Sequence, residues 1–129
     1  MIAVAGPRID QSALNAPCEV ELKGFVPDLY RLLAVCDIAV VQGGLSTAME
    51  LTANRRPFIY FPLRHHFEQD IHVRHRLNRH GAGRAMDYST DGPEEIAAAL
   101  CEELCRPIKY LAVDPGGARR TATLLGEML

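Results

Sequence analysis

A pair of glycines, Gly43 and Gly44, follows an apolar run and precedes a segment that begins with Ser46 and Thr47. Glycine lets a turn approach a ligand closely, and the first turn of a helix presents unpaired N–H groups and the positive end of the helix dipole. This order of residues is typical of a phosphate site, in which Gln42, Gly43, Gly44, Ser46 and Thr47 supply amides and hydroxyls. The alternative is that the two glycines form only a turn.

Glu50 lies one helical turn beyond Ser46 and Thr47. A carboxylate close to a phosphate would repel it, so a Glu50 that faces the ligand is expected to accept hydrogen bonds from a pair of neighbouring hydroxyls, as on a ribose. The alternative is that Glu50 is a solvated residue of the helix. The spacing alone leaves both interpretations open.

A second cluster is rich in imidazole and guanidinium groups. All five histidines of the chain lie between residues 65 and 80, among several arginines, and this locally basic segment predicts an anionic ligand. Zinc is the rival ligand, because Glu68, His72 and His75 would share one helix face. Their spacing departs from the paired-histidine pattern of metalloproteases, so no metal site is predicted.

Short apolar runs alternate with helical patterns along the chain, which predicts an α/β fold with a doubly wound parallel sheet. The predicted strands are residues 2–5, 18–22, 38–41, 58–61 and a short one around 85–86. The predicted helices are residues 27–36, 45–53, 67–80, 93–105 and 117–128. The first strand suits the second position of such a sheet, so the first strand, loop and helix of the fold are expected to be missing.

Ligands of open parallel sheets bind beyond the carboxyl ends of the strands. Residues 24–26, 42–44 and 62–70 are therefore expected to converge on one crevice. With 129 residues, of which 48% are hydrophobic, the chain is interpreted as one domain, 1–129. The net charge of −2 argues against a nucleic-acid partner, and no apolar run is long enough to span a membrane. A cytoplasmic location and free thiols for the four cysteines are expected.

From residue 24 to residue 87 the chain resembles the nucleotide-sugar-binding C-terminal domain of GT-B glycosyltransferases. The resemblance is strongest to the family of the peptidoglycan N-acetylglucosaminyl transferase and more distant to the plant and animal UDP-glycosyltransferases. The residues that occupy the family's motif spacing are Gly43, Gly44, Thr47, Glu50, Pro57, Pro62 and Gln69. Plant-type enzymes carry a histidine where this chain has Gln42.

The resemblance implies a role for each predicted site residue. Gly43, Gly44, Ser46 and Thr47 would contact the diphosphate of the donor, and Glu50 the ribose hydroxyls. The hydroxyls of the donor sugar would be held by Gln69 and Asp70, and the uracil by the backbone of Phe25 and Val26. His65, His66 and Glu68 would belong to the donor loop. Imidazole is the side chain used most often as a general base, and on that ground alone His65 and His66 are the candidates for a catalytic base; the catalytic residue is otherwise unknown.

The fold implied is the Rossmann-like half of a GT-B enzyme. The function implied is transfer of a hexose from a UDP-sugar, or another NDP-sugar, to an acceptor by metal-independent displacement, with no cofactor besides the donor. An N-terminal acceptor domain would be missing, so the isolated chain is expected to be inactive. The alternatives are a stand-alone nucleotide-sugar-binding or assembly module without catalysis, and an epimerase. A free strand edge would also permit a homodimer.

Overall fold

The computed structural model describes residues 1–128, which fall into two compact units, Met1–Leu32 and the part from Leu33 onward. The last residue of the predicted domain 1–129 lies outside the described residues. In the first unit, β1 (Ile2–Val4) and β2 (Glu21–Lys23) pair in parallel, with Ile2 opposite Glu21. A short 3-10 helix, Gln11–Ala13, lies between them, with Asp10 accepting from the Ser12 N–H at its start.

Two boundaries in the first unit were predicted wrongly. The strand placed at residues 18–22 begins only at Glu21, because the Val20 N–H donates to the Pro17 carbonyl and closes a turn over residues 17–20. The helix placed at residues 27–36 is α1 (Leu29–Val35). Asp28 has a φ of 52°, which lies outside the helical region, so the helix cannot include Pro27.

The larger unit contains a three-stranded parallel sheet. Its strands are β3 (Ala39–Val41), β4 (Phe58–Tyr60) and β5 (Arg84–Ala85), in the order β3-β4-β5. The central strand β4 is almost fully buried, as its run of three aromatic and β-branched residues predicts. The α/β class and the parallel pairing are confirmed.

The helices of this unit follow their strands as the alternating pattern predicts. They are α2 (Leu45–Ala53), a π-helix (Glu68–Val73) that continues directly into α3 (Arg74–His80), α4 (Pro93–Cys105) and α5 (Gly117–Glu127). Within residues 1–128, no helix is both long and apolar enough to cross a lipid bilayer.

The core forms on both faces of β4. Ile59 and Phe61 pack with Met86 from the end of β5 and with Ala99 from α4. On the other face, the Phe58 ring meets the Tyr110 ring edge to face at 6.4 Å and lies 6.1 Å from the tilted Tyr60 ring, and Gly83 leaves room for the Phe58 ring. Helix α2 packs against the π-helix and α3.

Helix ends are set by local chemistry. Gly81, with a φ of 61°, ends α3 in the left-handed conformation, and its N–H donates to the Asn78 carbonyl. At the start of α4, the Gly92 N–H donates to the Glu95 carboxylate at 3.0 Å, and Pro93 occupies the first turn. Both ends lie where the sequence predicted them.

Candidate functional site

The candidate site is built at one edge of the second sheet. Because β3, β4 and β5 run in parallel, the loops that follow them leave from the same edge. The ladder continues just beyond the strands, since the Phe61 N–H donates to the Val41 carbonyl and the Met86 N–H to the Tyr60 carbonyl. The turn after β3 and the loop after β4 are therefore brought side by side.

Gly43 determines the path of the turn after β3. It is buried and has a φ of 134°, a conformation that side chains rarely adopt. A Cβ added at this position would stand 3.0 Å from the Cα of Pro62, so the backbone of the turn lies directly against the backbone that follows β4. The glycine is required both by its conformation and by this close approach.

Gly44 and the start of α2 have a different character. Gly44 is partly exposed, has ordinary extended angles, and has open space where a Cβ would be. It occupies the N-cap of α2 and has no side chain, so the N–H groups of the first turn, which have no intrahelical acceptor, receive no side-chain cap either. An anion that approaches this turn would meet amide donors and the positive end of the dipole.

The side chains on the first turns of α2 are available for a ligand. Ser46 is exposed and Thr47 half-buried, and among residues 1–128 neither hydroxyl takes part in a hydrogen bond. By contrast, the buried Thr52 hydroxyl donates to the Ala48 carbonyl at 2.7 Å. Glu50 is half-buried and its carboxylate forms no ion pair with the described residues. The unused polar groups of α2 are therefore those predicted for the site.

Gln69 organises the loop after β4. Its Oε1 accepts a hydrogen bond from the Leu63 N–H at 3.0 Å, and this contact ties the π-helix back to the chain that leaves the strand. Within the loop, the His66 N–H donates to the Leu63 carbonyl, and His65 has a left-handed φ of 61°. The amide oxygen of Gln69 is thus bonded within the protein, while the two N–H donors of its Nε2 are available to a ligand.

An ion pair joins the loops that follow β4 and β5. Arg64 donates to Oδ2 of Asp87 from Nε at 2.9 Å and from Nη2 at 2.6 Å, while Oδ1 accepts from the Ser89 N–H and hydroxyl. These bonds, those from Ser89 first and then that from Arg64, lower the pKa of Asp87 to about 2. The pair braces the loop that carries His65 and His66.

The other predicted residues of this segment are exposed or half-exposed. His65, His66 and Glu68 are exposed, and Asp70 forms a long ion pair with Arg74 at 3.7 Å. Glu68, Gln69 and Asp70 all lie in the π-helix. Such helices are uncommon and occur frequently at functional sites.

The zinc interpretation receives no support. Among residues 1–128, no three His, Cys, Asp or Glu side chains are grouped so that they could hold a metal ion. Glu68, His72 and His75 are therefore not grouped as one set of ligands in the part of the chain that the structure describes. The four cysteines are free, as predicted.

Phe25 and Val26 belong to the first unit, where they follow the carboxyl end of β2. Phe25 is 70% exposed and Val26 is half-buried. Their predicted contact with a nucleobase stays a prediction.

Two features of the site were missed in the sequence. The first is the Arg64–Asp87 pair, for which the only local signal is the Asp-x-Ser order of residues 87–89, typical of a turn in which the carboxylate caps backbone N–H groups. The second is the π-helix, whose residues read as an ordinary polar helix. Neither the Arg64–Asp87 pair nor the π-helix produces a repeating pattern of residues in the sequence.

Comparison with known proteins agrees with the resemblance seen in the motif. The family model described as the glycosyltransferase family 28 C-terminal domain matches residues 5–114. A glycosyltransferase of Methanosarcina mazei, whose specific reaction is uncharacterized, is 31% identical over 108 residues, or 83% of this chain. The match covers 28% of that protein, so this chain spans less than a third of the relative's length.

A second relative has a named reaction. The UDP-N-acetylglucosamine–N-acetylmuramyl-(pentapeptide) pyrophosphoryl-undecaprenol N-acetylglucosamine transferase of Pseudomonas aeruginosa is 34% identical over 91 residues, which are 69% of this chain and 25% of that protein.

Solved structures show the same architecture. The glycotransferase of kitacinnamycin matches with a TM-score of 0.63 and 25% identity, over 98% of this chain and 30% of that one. Spinosyn forosaminyltransferase matches with the same TM-score of 0.63 at 23% identity, which shows the fold alone. Because the family model covers most of the residues, this chain belongs to the glycosyltransferase family 28 C-terminal domain family.

Proposed function

We propose that this chain is the part of a glycosyltransferase that holds the activated donor, a UDP-hexose or another nucleoside-diphosphate sugar. The relatives are glycosyltransferases, and the Pseudomonas aeruginosa relative is named for a UDP-N-acetylglucosamine donor. The observation that carries the proposal is the start of α2, where Gly43 and Gly44 leave an uncapped helix N-terminus at the carboxyl edge of a parallel sheet.

In this proposal the diphosphate lies over Gly44 and the first turn of α2. The open space at Gly44 admits a phosphate oxygen close to the backbone, and the free hydroxyls of Ser46 and Thr47 add donors on the same turn. Gly43 contributes by placing the turn, because its contact with Pro62 fixes the height of the turn over the sheet. Gln42, which is exposed, completes the set at the end of β3.

The hydroxyl groups of the donor are assigned to the acidic and amide side chains. Glu50 has a carboxylate without an ion-pair partner among residues 1–128, and a vicinal pair of ribose hydroxyls suits both of its oxygens. Gln69 retains two N–H donors after its oxygen has bound the Leu63 N–H, and Asp70 retains acceptor capacity beside its long contact with Arg74. These two would bind hydroxyls of the sugar.

The assignment of the nucleobase rests on the resemblance. Phe25 and Val26 are assigned to the uracil because they occupy the corresponding loop after β2. His65 and His66 lie in the braced donor loop, but no acceptor geometry identifies either one as the base. The base is therefore expected from the part of the enzyme that binds the acceptor.

The chemistry that this arrangement supports is direct displacement. The acceptor oxygen bonds to the anomeric carbon, the bond from that carbon to the diphosphate oxygen breaks, and the acceptor proton passes to a base. Negative charge develops on the departing diphosphate, where preorganised amides and the dipole of α2 stabilise it. Their positive potential would serve in place of a divalent metal ion.

A partner domain is part of the proposal, and α5 supports it. No residue of this 11-residue helix is buried, and Leu124 and Leu125 are 60% and 57% exposed. A helix with one apolar side gains its stability from packing that side against another surface. The acceptor-binding remainder of the enzyme is the proposed occupant, and the isolated chain should not complete a transfer.

The proposal is tested by titrating UDP into the protein by calorimetry and by following backbone amide shifts. Gly44→Ala places a methyl group between the helix N-terminus and the phosphate, in space that the fold leaves open. Loss of one charge-assisted hydrogen bond corresponds to about 10-fold to 100-fold weaker binding. Glu50→Ala should weaken UDP binding to a similar extent.

Matched controls separate binding from folding. Gly126→Ala also adds a methyl group in open space, and Glu94→Ala removes an exposed carboxylate on α4. Both should leave the affinity for UDP unchanged. The proposal is overturned if UDP shifts amides away from residues 42–50 and 62–70, or if Gly44→Ala and Glu50→Ala bind UDP as the native protein does.

A further inference from the structure

A depression of about 320 Å³ on the π-helix and α3 has no part in the proposed donor site. It is lined by His72, His75, Arg76, Arg79 and His80. Each of these side chains donates hydrogen bonds, and no carboxylate is part of the lining. We call these five residues the His/Arg face.

The two arginines of the His/Arg face are not neutralised by the protein. Among residues 1–128, Arg76 and Arg79 form no ion pair, whereas the neighbouring Arg74 pairs with Asp70 at 3.7 Å. Like charges three residues apart on a helix destabilise it. A bound anion would remove this repulsion, and guanidinium groups bind phosphate oxygens in pairs.

Part of the His/Arg face is held in place. His80 Nδ1 lies 3.2 Å from the Leu111 carbonyl oxygen, and the Leu111 N–H donates to the His80 carbonyl at 2.9 Å. Because a carbonyl oxygen only accepts, Nδ1 carries the hydrogen of this bond and Nε2 is left for another partner. The Phe67 ring meets the His72 ring edge to face at 4.8 Å, which fixes the other end.

The position of the His/Arg face separates it from the diphosphate at Gly44. The π-helix begins at Glu68, just after the carboxyl edge of the sheet, and α3 ends at His80, shortly before β5 begins at the opposite edge. Arg79 lies 11 residues beyond Glu68, which at the α-helical rise of about 1.5 Å per residue is about 16 Å along the axis. The arginines of the His/Arg face therefore lie toward the end of the helix that is away from the carboxyl edge of the sheet.

We propose that the His/Arg face is a second anion site, which takes a phosphate group carrying two or more negative charges. Such a group is either free in solution or the headgroup of a lipid. Exposed apolar side chains lie beside the face, since Phe67 contacts His72 and Ile71 is 54% exposed. The chemistry shared by both sources is the phosphate, and two probes distinguish them.

The first probe is inorganic pyrophosphate, titrated while the ring resonances of all five histidines are followed by NMR in the presence of saturating UDP. His72, His75 and His80 should shift, and His65 and His66, which lie in the loop after β4, should not. Arg76→Gln together with Arg79→Gln should weaken pyrophosphate binding at least tenfold. The control is Arg8→Gln with Arg119→Gln, two exposed arginines outside the face, and it should bind as the native protein does.

The second probe is co-sedimentation with phosphatidylcholine vesicles that contain phosphatidic acid, compared with phosphatidylcholine alone. Binding to the acidic vesicles that is lost in the Arg76/Arg79 variant identifies a lipid headgroup, and pyrophosphate binding alone identifies a free phosphate. The inference is overturned if pyrophosphate does not shift His72, His75 and His80 and the acidic vesicles do not bind the protein, or if the variant and its control respond equally. It is also overturned if only His65 and His66 shift. The shifts of His72, His75 and His80 and their dependence on Arg76 and Arg79 can be measured with or without UDP, so failure of UDP to bind would affect the proposed function but not this inference.

Discussion

The turn after β3 and the loop after β4 leave the same edge of one sheet, yet they are held in different ways. The turn after β3, the first connection, is made by Gly43 and Gly44 and is held by backbone contact between Gly43 and Pro62. The loop after β4, the second connection, is made by residues 61–67. It is held by side chains, through the Gln69–Leu63 hydrogen bond and the Arg64–Asp87 ion pair.

The difference separates two kinds of sensitivity. A turn that depends on backbone contact has no titrating group, so its geometry should not respond to pH or salt. It tolerates no side chain at Gly43. A loop that depends on polar side chains should weaken in steps, because each bond can be lost alone. The diphosphate is assigned to the first connection and the sugar hydroxyls to the second.

The largest effect is expected for Gly43→Ala. The new Cβ would stand 3.0 Å from Pro62 in a backbone conformation with a φ of 134°. Backbone strain and overpacking each cost about 1–3 kcal/mol, so the free energy of unfolding should fall by about 3 kcal/mol. Urea unfolding followed by circular dichroism measures this change, which should be the same at pH 5 and pH 8.

Gly44→Ala is the control for this substitution. Gly44 has extended angles and open space, so the loss of stability should be less than about 1 kcal/mol, the cost of alanine at an N-cap. Equal losses for the two variants would show that the contact with Pro62 does not hold the turn.

Local signals account for the parts of the fold that were predicted correctly. Helix α2 was placed at its observed bounds because Gly-Gly and Asn54 flank an uninterrupted helical run, and α4 because Gly92-Pro93 marks its start. Such boundaries depend on a few neighbouring residues. The family motif lies across these same boundaries, and the site residues that it predicts around α2 stay a prediction.

Contacts between distant residues account for what was missed. Arg64 and Asp87 are 23 positions apart, and the π-helix is an element in which Gln69 reaches back to Leu63. The strand β2 was misplaced because only three residues pair with β1, and their alternation is weak. Pattern analysis detects periodicity and turns but not a bond whose partners lie in separate loops.

A moderate effect is expected for Gln69→Leu, which removes the acceptor for the Leu63 N–H. The free energy of unfolding should fall by about 1 kcal/mol, the contribution of one hydrogen bond, and binding of a UDP-sugar should weaken more than binding of UDP. Urea unfolding and parallel calorimetric titrations measure the two quantities.

Gln69→Glu keeps an oxygen for the Leu63 N–H and is the matched control. Its stability should stay close to that of the native protein, while its lost N–H donors should still weaken binding of the sugar. If both variants lost stability equally, the bond to Leu63 would not be what holds the loop.

The smallest effect on stability is expected for Asp87→Asn. This effect depends on pH, and it therefore distinguishes the loop after β4 from the turn after β3. The pKa of Asp87 is lowered from 3.8 to about 2 in the folded protein, so its carboxylate stabilises the fold above pH 3.8. This contribution decreases as the pH falls from 3.8 toward 2. Because the pair with Arg64 is exposed to solvent, the effect should be smaller than that of Gln69→Leu.

Thermal melts at pH 6, 4, 3 and 2 measure this dependence. The native protein should lose more stability between pH 4 and pH 2 than Asp87→Asn, and the two should converge at the lowest pH. Asp37→Asn, at an exposed carboxylate outside the loops, should keep the native acid dependence. The Gly43→Ala protein should also keep it, since its defect lies in the connection without a titrating group. A flattened acid dependence in Gly43→Ala would mean that the two connections are coupled, and that Pro62 transmits the state of the ion pair to the turn after β3.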